Sequence, residues 1–544
     1  MSKIKILEAP TGSGKTGIAA ATPFVVDSVN PLDFGLPHDE WRPEQLEALL
    51  WITGRNPHSV VSLVKTKSLQ RENYDRLYAF DAHYGRANFE CQHPSADRGV
   101  TCAECRYLND GGMRACPYAN RCTYLASKNA AMNSQKASLN YAYWMTALNW
   151  RTKRPPEMLF CDEAHNISDI VLEWVGITIT AKQQKDWELP EFAELDSTIG
   201  TGILIHRGPS PMDVAILWLE RAFAIMAMHC EKLELSSNGN AKQRDAYTRA
   251  DLLCRKIDNA LVSIEQCNDD WFILSGKQAR TYRGKPEPGF ICRPLTARHH
   301  APIYVVGDFK TVMMSATIGN PKTFAGELGL KGWGFRAVPN QWESQRRPVN
   351  VLDAPKLGHR SKESEYQKQA DVIVRAIKSV DPSWCGFIHV TRKREAALLA
   401  ERLAERGLQD RVWVPPGANG RYVATDKQMA AWESRKRKVS GSLCISWSMW
   451  EGVDGLDEKI CVVAKVPFSA LGDPYEKARM QYSGRMYLQR AAWQLEQGLG
   501  RTRRGREQDY DTTDEQRGLV AIADGNWKRV QKYLSESMKE SLIE

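Results

Sequence analysis

The sequence predicts an α/β protein built on two parallel sheets, and three observations carry that expectation. Short apolar runs of strand length repeatedly end in polar, reactive-looking loops, as strands of a parallel sheet do when a site lies at their C-terminal ends. One such run, Ile4-Lys5-Ile6-Leu7, feeds at once into a glycine-rich turn and then a helix-permissive segment. The chain has 544 residues, long for one domain at roughly 100–200 residues per domain.

Taken in order, the next strand-length runs are Val60–Val64, Met158–Cys161 and Thr311–Met314. They end in Lys65-Thr66-Lys67, Asp162-Glu163-Ala164-His165 and Ser315-Ala316-Thr317. Residues 168–300 differ, with long stretches of helical period at Met212–Met228 and Ala241–Ile264 and no phosphate or acid motif. They predict a mostly helical insert. From about 346 the strand–loop alternation resumes with Cys385–Val390, Ser442–Ile445, Ile460–Ala464 and Leu519–Ala523, a second α/β domain.

Composition excludes several classes. Apolar residues are 42% and charged residues 26%, which is globular usage and not that of a disordered chain. No run of about 18 uncharged apolar residues is present to span a membrane. The start, Met1-Ser2-Lys3-Ile4-Lys5, does not read as a signal peptide, so a cytoplasmic or DNA-associated intracellular protein is expected. The charge of +9 permits a polyanionic partner without requiring one. The 13 cysteines are an odd number, which speaks against a disulfide framework. Five of them (Cys91, Cys102, Cys105, Cys116 and Cys122) crowd into one short segment.

Three motifs carry chemistry. Residues Ala9-Pro10-Thr11-Gly12-Ser13-Gly14-Lys15-Thr16 complete a phosphate loop, with alanine where the pattern opens on glycine. Backbone N–H groups of such a turn cradle phosphate oxygens, the lysine reaches the β- and γ-phosphates, and the Thr16 hydroxyl binds magnesium. In Asp162-Glu163-Ala164-His165, Asp162 is placed to hold magnesium and Glu163 to take a proton from the attacking water. In Gln497-Gly498-Leu499-Gly500-Arg501-Thr502-Arg503-Arg504, Arg501 and Arg504 share one helical face and can stabilise transition-state charge on a γ-phosphate. A solvated basic helix face is the competing reading of that run. The clustered thiols bind zinc or iron–sulfur; spacing alone favours zinc, because Cys102-x-x-Cys105 followed by a later pair is a common zinc pattern.

With these motifs in this order, the chain resembles the superfamily 2 DNA helicases of the XPD/DinG group. Asp162–Ile167 is similar to the group's motif II, Ser315–Thr317 to motif III, and Lys65–Gln70 to motif Ia. Trp450-Glu451-Gly452-Val453-Asp454 is similar to motif V, and Gln497, Gly500, Arg501 and Arg504 match motif VI. The resemblance implies two RecA-like parallel-sheet motor domains with ATP between them and single-stranded DNA across their top. Residues 1–84, 131–167 and 301–345 would form the first motor domain, and 346–544 the second. The first would carry a cysteine-rich insert at 85–130 and an arch-like helical insert at 168–300.

The resemblance also turns the thiol reading toward a [4Fe–4S] cluster, with zinc as the alternative. Gly85–Cys91 resembles the lead-in to the group's cluster insert, and Ser138–Tyr141 its exit. Four of the five cysteines would be ligands, and which one is spare stays open. The implied activity is an ATP-dependent helicase or translocase of the DEAH-box kind, moving 5′ to 3′ on single-stranded DNA and opening forked or duplex DNA in repair or replication. Thr11, Gly12, Ser13, Gly14, Lys15, Thr16, Gly452 and Asp454 would bind nucleotide. His165 would report nucleotide state, Gln497 would position the γ-phosphate or water, and Ser315 and Thr317 would couple hydrolysis to movement. Arg86, Arg421, Tyr422, Trp432 and the run Arg435–Lys438 are candidate nucleic-acid contacts, the run being equally well read as a solvated face.

Two departures stand out. The glutamine segment that reads adenine in the group has no room upstream of Ala9; Trp41–Gln45 is similar to it but lies downstream of the loop. A variant with a fused nuclease before the motifs is not expected. The rival is a nucleotide-gated nucleic-acid-binding module that does not unwind duplexes, and an RNA substrate is a further alternative. Protein purified without oxygen is expected to be coloured and to hold iron and sulfide. A colourless protein with zinc in the cysteine segment removes the cluster.

Overall fold

The computed structural model describes residues 3–9, 15, 18–19, 22, 48, 51–52, 59–94, 100–105, 116–146, 155–191, 211–236, 241–276, 289–307, 309–338, 348–358, 360–417, 423, 425–450, 458–500 and 518–543. In chain order the first strands are β1 (Ile4–Glu8), β2 (Val60–Val64), β3 (Asp81–His83), β4 (Lys136–Asn140) and β5 (Met158–Cys161). Next come β6 (Ile177–Thr180), β7 (Trp271–Gly276) and β8 (Gly289–Pro294), then β9 (Lys310–Ser315) and β10 (Trp333–Ala337). The C-terminal strands are β11 (Val349–Val351), β12 (Gly386–His389), β13 (Val412–Trp413), β14 (Leu443–Ser446), β15 (Ile460–Val463), β16 (Leu519–Ile522) and β17 (Leu542–Ile543).

Fourteen of them form two seven-stranded sheets with every pairing parallel, ordered β10-β1-β9-β5-β2-β4-β3 and β13-β14-β12-β15-β16-β11-β17. The apolar runs read from the sequence are their central strands. Each is buried on both faces, which is why it is continuously apolar and not alternating. Ile4, Ile6, Val61 and Leu63 enter one core of the first sheet, and Leu7, Val60 and Val64 enter the other. Helices packed on both faces account for that split. In the second sheet, Ile388, Ile445 and Val462 face one core, while Val463, Val520 and Ile522 face the other.

The insert that interrupts the first sheet between β5 and β9 is mostly helical, with one addition that helical periodicity did not announce. The helices Pro211–Ser236 and Ala241–Gln266 pack on an antiparallel sheet of order β6-β8-β7. Trp218, Leu219, Ala222 and Met226 meet Leu253, Ile257 and Ala260 over Ile177, Ile179, Phe290 and Cys292. The helix Ile167–Val175, inside the range assigned to the insert, packs instead into the first sheet's core through Ile167, Val171, Leu172 and Val175. Its apolar face looks the same in sequence whichever core it joins. The insert also leans on the second motor unit: the Tyr475 hydroxyl donates to the Pro294 carbonyl at 2.6 Å, and the Arg293 guanidinium lies 4.5 Å from the Tyr475 ring centre. Among the described residues, no helix is long and apolar enough to cross a membrane.

Trp432 and the basic run beside it fold differently from the expectation that they contact nucleic acid. Trp432 is fully buried against Phe387, Cys444 and Met449, and its indole donates to Glu458 Oε1 at 2.8 Å. Lys436 donates to the same oxygen at 2.8 Å and pairs with Glu433. Arg435 donates to the Asp410 carbonyl. Helical spacing put the aromatic on the inner face of Thr425–Lys438 and tied two of the four cations to the domain's own acceptors. Trp432→Phe is expected to cost about 1–3 kcal/mol in urea unfolding by loosening the buried Glu458, with strand affinity unchanged. A loss of affinity at full stability contradicts the structural role.

Candidate functional site

The site grows from the C-terminal ends of β1, β5 and β9, neighbours in the first sheet. β1 leads into the buried Ala9, whose N–H donates to the Ser315 carbonyl at 3.0 Å. Lys15 Nζ donates back to the Ala9 carbonyl at 3.0 Å, folding the lysine over the strand end. Thr11, Gly12, Ser13, Gly14 and Thr16 lie outside the described residues, as do Trp41–Gln45, Arg421, Tyr422, Gly452, Asp454, Arg501 and Arg504.

Asp162 extends β5 by donating its N–H to the Leu63 carbonyl at 2.9 Å. The side chain is 4% exposed. Its Oδ2 accepts from the Tyr74 hydroxyl at 2.9 Å and its Oδ1 from the Glu163 N–H at 2.9 Å, while the Tyr141 hydroxyl donates to its carbonyl at 2.8 Å. Burial pushes the carboxyl up to about 6, the Glu163 carboxylate adds to the rise, and the Lys15 ammonium opposes it. Sequence reading missed Tyr74 and Tyr141. Tyr74 lies in no motif, Tyr141 ends the Ser138–Tyr141 stretch read only as an insert exit, and only the fold carries them to Asp162.

Glu163 takes a left-handed backbone with φ +48°, a costly conformation for a residue with a Cβ and one that turns the chain sharply off the strand. A polar chain runs from it across the molecule. His165 Nδ1 lies 3.4 Å from Glu163 Oε2, 2.8 Å from Ser315 Oγ and 3.3 Å from Thr317 Oγ1. Gln497 Nε2 donates to Thr317 Oγ1 at 3.4 Å. Gln497 sits on the helix Gly484–Leu499 of the second motor unit, so sequence-predicted residues from three motifs meet at the seam between the units.

The same helix adds residues that no motif flagged. Trp493 Nε1 donates to the Ile318 carbonyl at 3.0 Å. Gln489 accepts from Asn320 N–H at 3.1 Å and donates to the Tyr533 carbonyl at 2.9 Å. Between them Gly319 has φ +68°, and a Cβ there would stand 2.1 Å from the Tyr533 carbonyl, so the two units approach at a point only glycine allows. Glu8 closes the seam: Oε2 accepts from Gly319 N–H at 2.6 Å and Oε1 from Glu536 N–H at 3.4 Å.

The five clustered cysteines also converge. Cys91 N–H donates to the Val100 carbonyl at 2.8 Å and Cys102 N–H to the Phe89 carbonyl at 2.7 Å, pinning two thiols side by side. Cys102 and Cys122 sulfurs are 3.9 Å apart, and all five thiols line one cavity with His93 and Tyr118. Burial, reinforced by the Cys122, Cys91 and Cys105 thiols, pushes the Cys102 thiol up to about 12. A cation reverses that preference, because ligation needs thiolates. The donor set fits a thiolate-bound metal or iron–sulfur group, and with five thiols present the spare one is not singled out.

A groove of about 1450 Å³ crosses the second unit toward the insert. Lys356, Arg360, Arg392, Lys465, Arg485 and Arg529 line it, interleaved with Trp447, Phe468 and Tyr487. These residues are scattered in sequence, and no local run predicted them.

Residues 386–541 match the helicase C-terminal domain family. The solved structure named XPD_Helicase aligns over 99% of this chain and 96% of its own, with a TM-score of 0.52 at 12% identity. The chain has the fold of that XPD structure. A second structure, named XPD_APO, aligns over 97% of this chain and 95% of its own, with a TM-score of 0.51 at 12% identity. No curated protein matches the chain in sequence. The expected pair of parallel sheets, with long helices inserted in the first, is thus met in this fold.

In that fold, the seam carboxylate Glu8 is a group strongly exposed to pH. It is 3% exposed to solvent, and burial pushes its carboxyl from 4.5 up to about 7. Its folded value lies above its unfolded one, so its contribution to stability is complete below about pH 4.5 and is lost as pH rises through about 7. Glu8→Gln is expected to flatten this slope. The stability of wild type relative to the variant then falls by on the order of 2 kcal/mol between pH 5 and pH 8 in urea unfolding. Identical pH slopes contradict the assignment.

Proposed function

We propose that this helicase-fold chain is a nucleic-acid-stimulated ATPase that moves along single-stranded DNA and separates strands. The polar chain from Glu163 through His165, Ser315 and Thr317 to Gln497 carries the reading, because it gives the acid at the hydrolytic position a physical connection to the second motor unit. ATP would lie at the strand ends, with Lys15 on its phosphates and Asp162 and Thr16 holding magnesium, which neutralises phosphate charge when bound. Glu163 is the residue that takes the proton of the attacking water. Its loss of negative charge weakens the attraction for His165. His165 then shifts its hydrogen bonds to Ser315 and Thr317, and Gln497 feels the change.

The basic and aromatic groove supports the strand-binding half of the proposal. Guanidinium and ammonium groups track a phosphate backbone, and aromatic faces stack bases without sequence preference. Arg501 and Arg504 complete the phosphate contacts, and Gly452 and Asp454 link the second unit to nucleotide. The cysteine insert, holding a [4Fe–4S] cluster, and the helical insert would flank the path of one strand. Direction, 5′ to 3′, follows from the resemblance to the XPD/DinG group. The boundaries proposed for the units are those read from the sequence, with Ile167–Val175 assigned to the first motor domain.

Lys15→Ala is expected to abolish DNA-stimulated ATP hydrolysis while leaving strand binding within about twofold, whereas Arg392→Ala with Arg485→Ala weakens strand binding and spares the basal hydrolysis. Each cation removed from the path of the phosphates is expected to lower the salt slope of binding by about one. Full ATPase activity in the Lys15 variant removes the assignment. Hydrolysis without displacement of a duplexed strand favours the nucleotide-gated binding module instead.

A further inference from the structure

At the base of the helical insert, remote in sequence from the five clustered cysteines and from the motor motifs, three ligand-type side chains come together. Cys267 follows the helix Ala241–Gln266, Asp269 stands in the turn into β7, and His299 stands in the turn after β8. One ligand atom from each lies within 4.8 Å of the other two. We propose that Cys267, Asp269 and His299 form a binding site for one zinc-type divalent ion that staples the insert to its base.

The donor set selects the ion. A thiolate, an imidazole and a carboxylate suit a borderline-soft cation in tetrahedral geometry, whereas magnesium and calcium prefer oxygen alone. Bonds of about 2.0–2.3 Å put tetrahedral donors about 3.3–3.8 Å apart, so side-chain rotation moving the donors by about 1 Å completes the site. Water would take the fourth position. Cys267 and His299 are half-buried and Asp269 is exposed, which leaves the ion a path in from solvent.

The surroundings hold the ligands as outer partners of a metal site do. Asp270 Oδ2 lies 3.2 Å from His299 Nε2. With a proton on Nε2 donated to Asp270, the lone pair falls on Nδ1, the tautomer a metal needs. Cys267 is fixed by its backbone: its N–H donates to the Ser263 carbonyl at 3.1 Å, and its carbonyl accepts from the Trp271 indole at 2.8 Å. Asp270 also accepts from the Tyr482 hydroxyl of the second motor unit at 2.8 Å, and Arg298 reaches the same hydroxyl. An ion on His299 therefore orders the Asp270 side chain that joins the insert to the motor.

The test uses the full chain, equilibrated with zinc chloride, desalted, and assayed for zinc and iron per chain by mass spectrometry. Wild type is expected to keep one zinc that Cys267→Ser with His299→Ala loses, at unchanged iron. Cys102→Ser is expected to alter iron and to spare this zinc, which separates the two sites. Asp270→Asn is expected to weaken zinc at least tenfold in competition with a chromophoric chelator. If the double variant does not fold, exposed Asp269→Asn reads the same loss of affinity. Equal zinc in wild type and both variants, or no zinc retained by wild type, overturns the site.

Discussion

Thr317 Oγ1 sits 3.3 Å from His165 Nδ1 and 3.4 Å from Gln497 Nε2, and the two motor units are coupled through that hydroxyl. Around it, Ser315, Thr317 and His165 are all buried. A buried polar atom without a partner costs about 1–3 kcal/mol, so the units are held in the arrangement that satisfies this chain. Any shift of the Gly484–Leu499 helix relative to β9 breaks it. In the proposed mechanism, nucleotide chemistry at Glu163 and movement of the second unit would both act on this polar chain.

The cost of the arrangement is visible in its charges. Asp162 and Glu8 are carboxyls taken out of water, both raised by burial and both only partly offset by N–H and hydroxyl donors. Neither geometry suits a chain optimised for stability alone. In the proposed site a bound magnesium ion would offset the penalty at Asp162, because the carboxylate would gain a cationic partner. Glu8 has no such role, and its burial makes the seam sensitive to pH.

The two motor sheets supply rigid strand ends, and the remaining chemistry sits on the inserts of the first sheet and on the surface of the second unit. The cysteine cavity, the insert base and the basic groove all combine residues from separate segments of the chain. Connecting loops can grow without disturbing the buried strands; the fold likeness runs along the whole chain, and the match to the C-terminal domain family covers 386–541.

The sequence by itself determined the motor sheets and the residues at their ends. Apolar runs such as Met158–Cys161 are long enough to be strands and too short for helices, and a carboxylate pair or a lysine after a glycine turn has a chemistry that needs no neighbour to be read. The tertiary structure alone decided which side chains share a site. Tyr74 and Tyr141 reach Asp162, and Gln489 spans the seam, through contacts between residues far apart in the chain. It also moved Trp432 from a nucleic-acid candidate to a core residue and assembled a basic groove from scattered arginines. The physical reason is the same in each case. Backbone hydrogen bonding and hydrophobic period are local and leave a pattern in sequence, whereas burial and charge pairing are properties of what packs opposite.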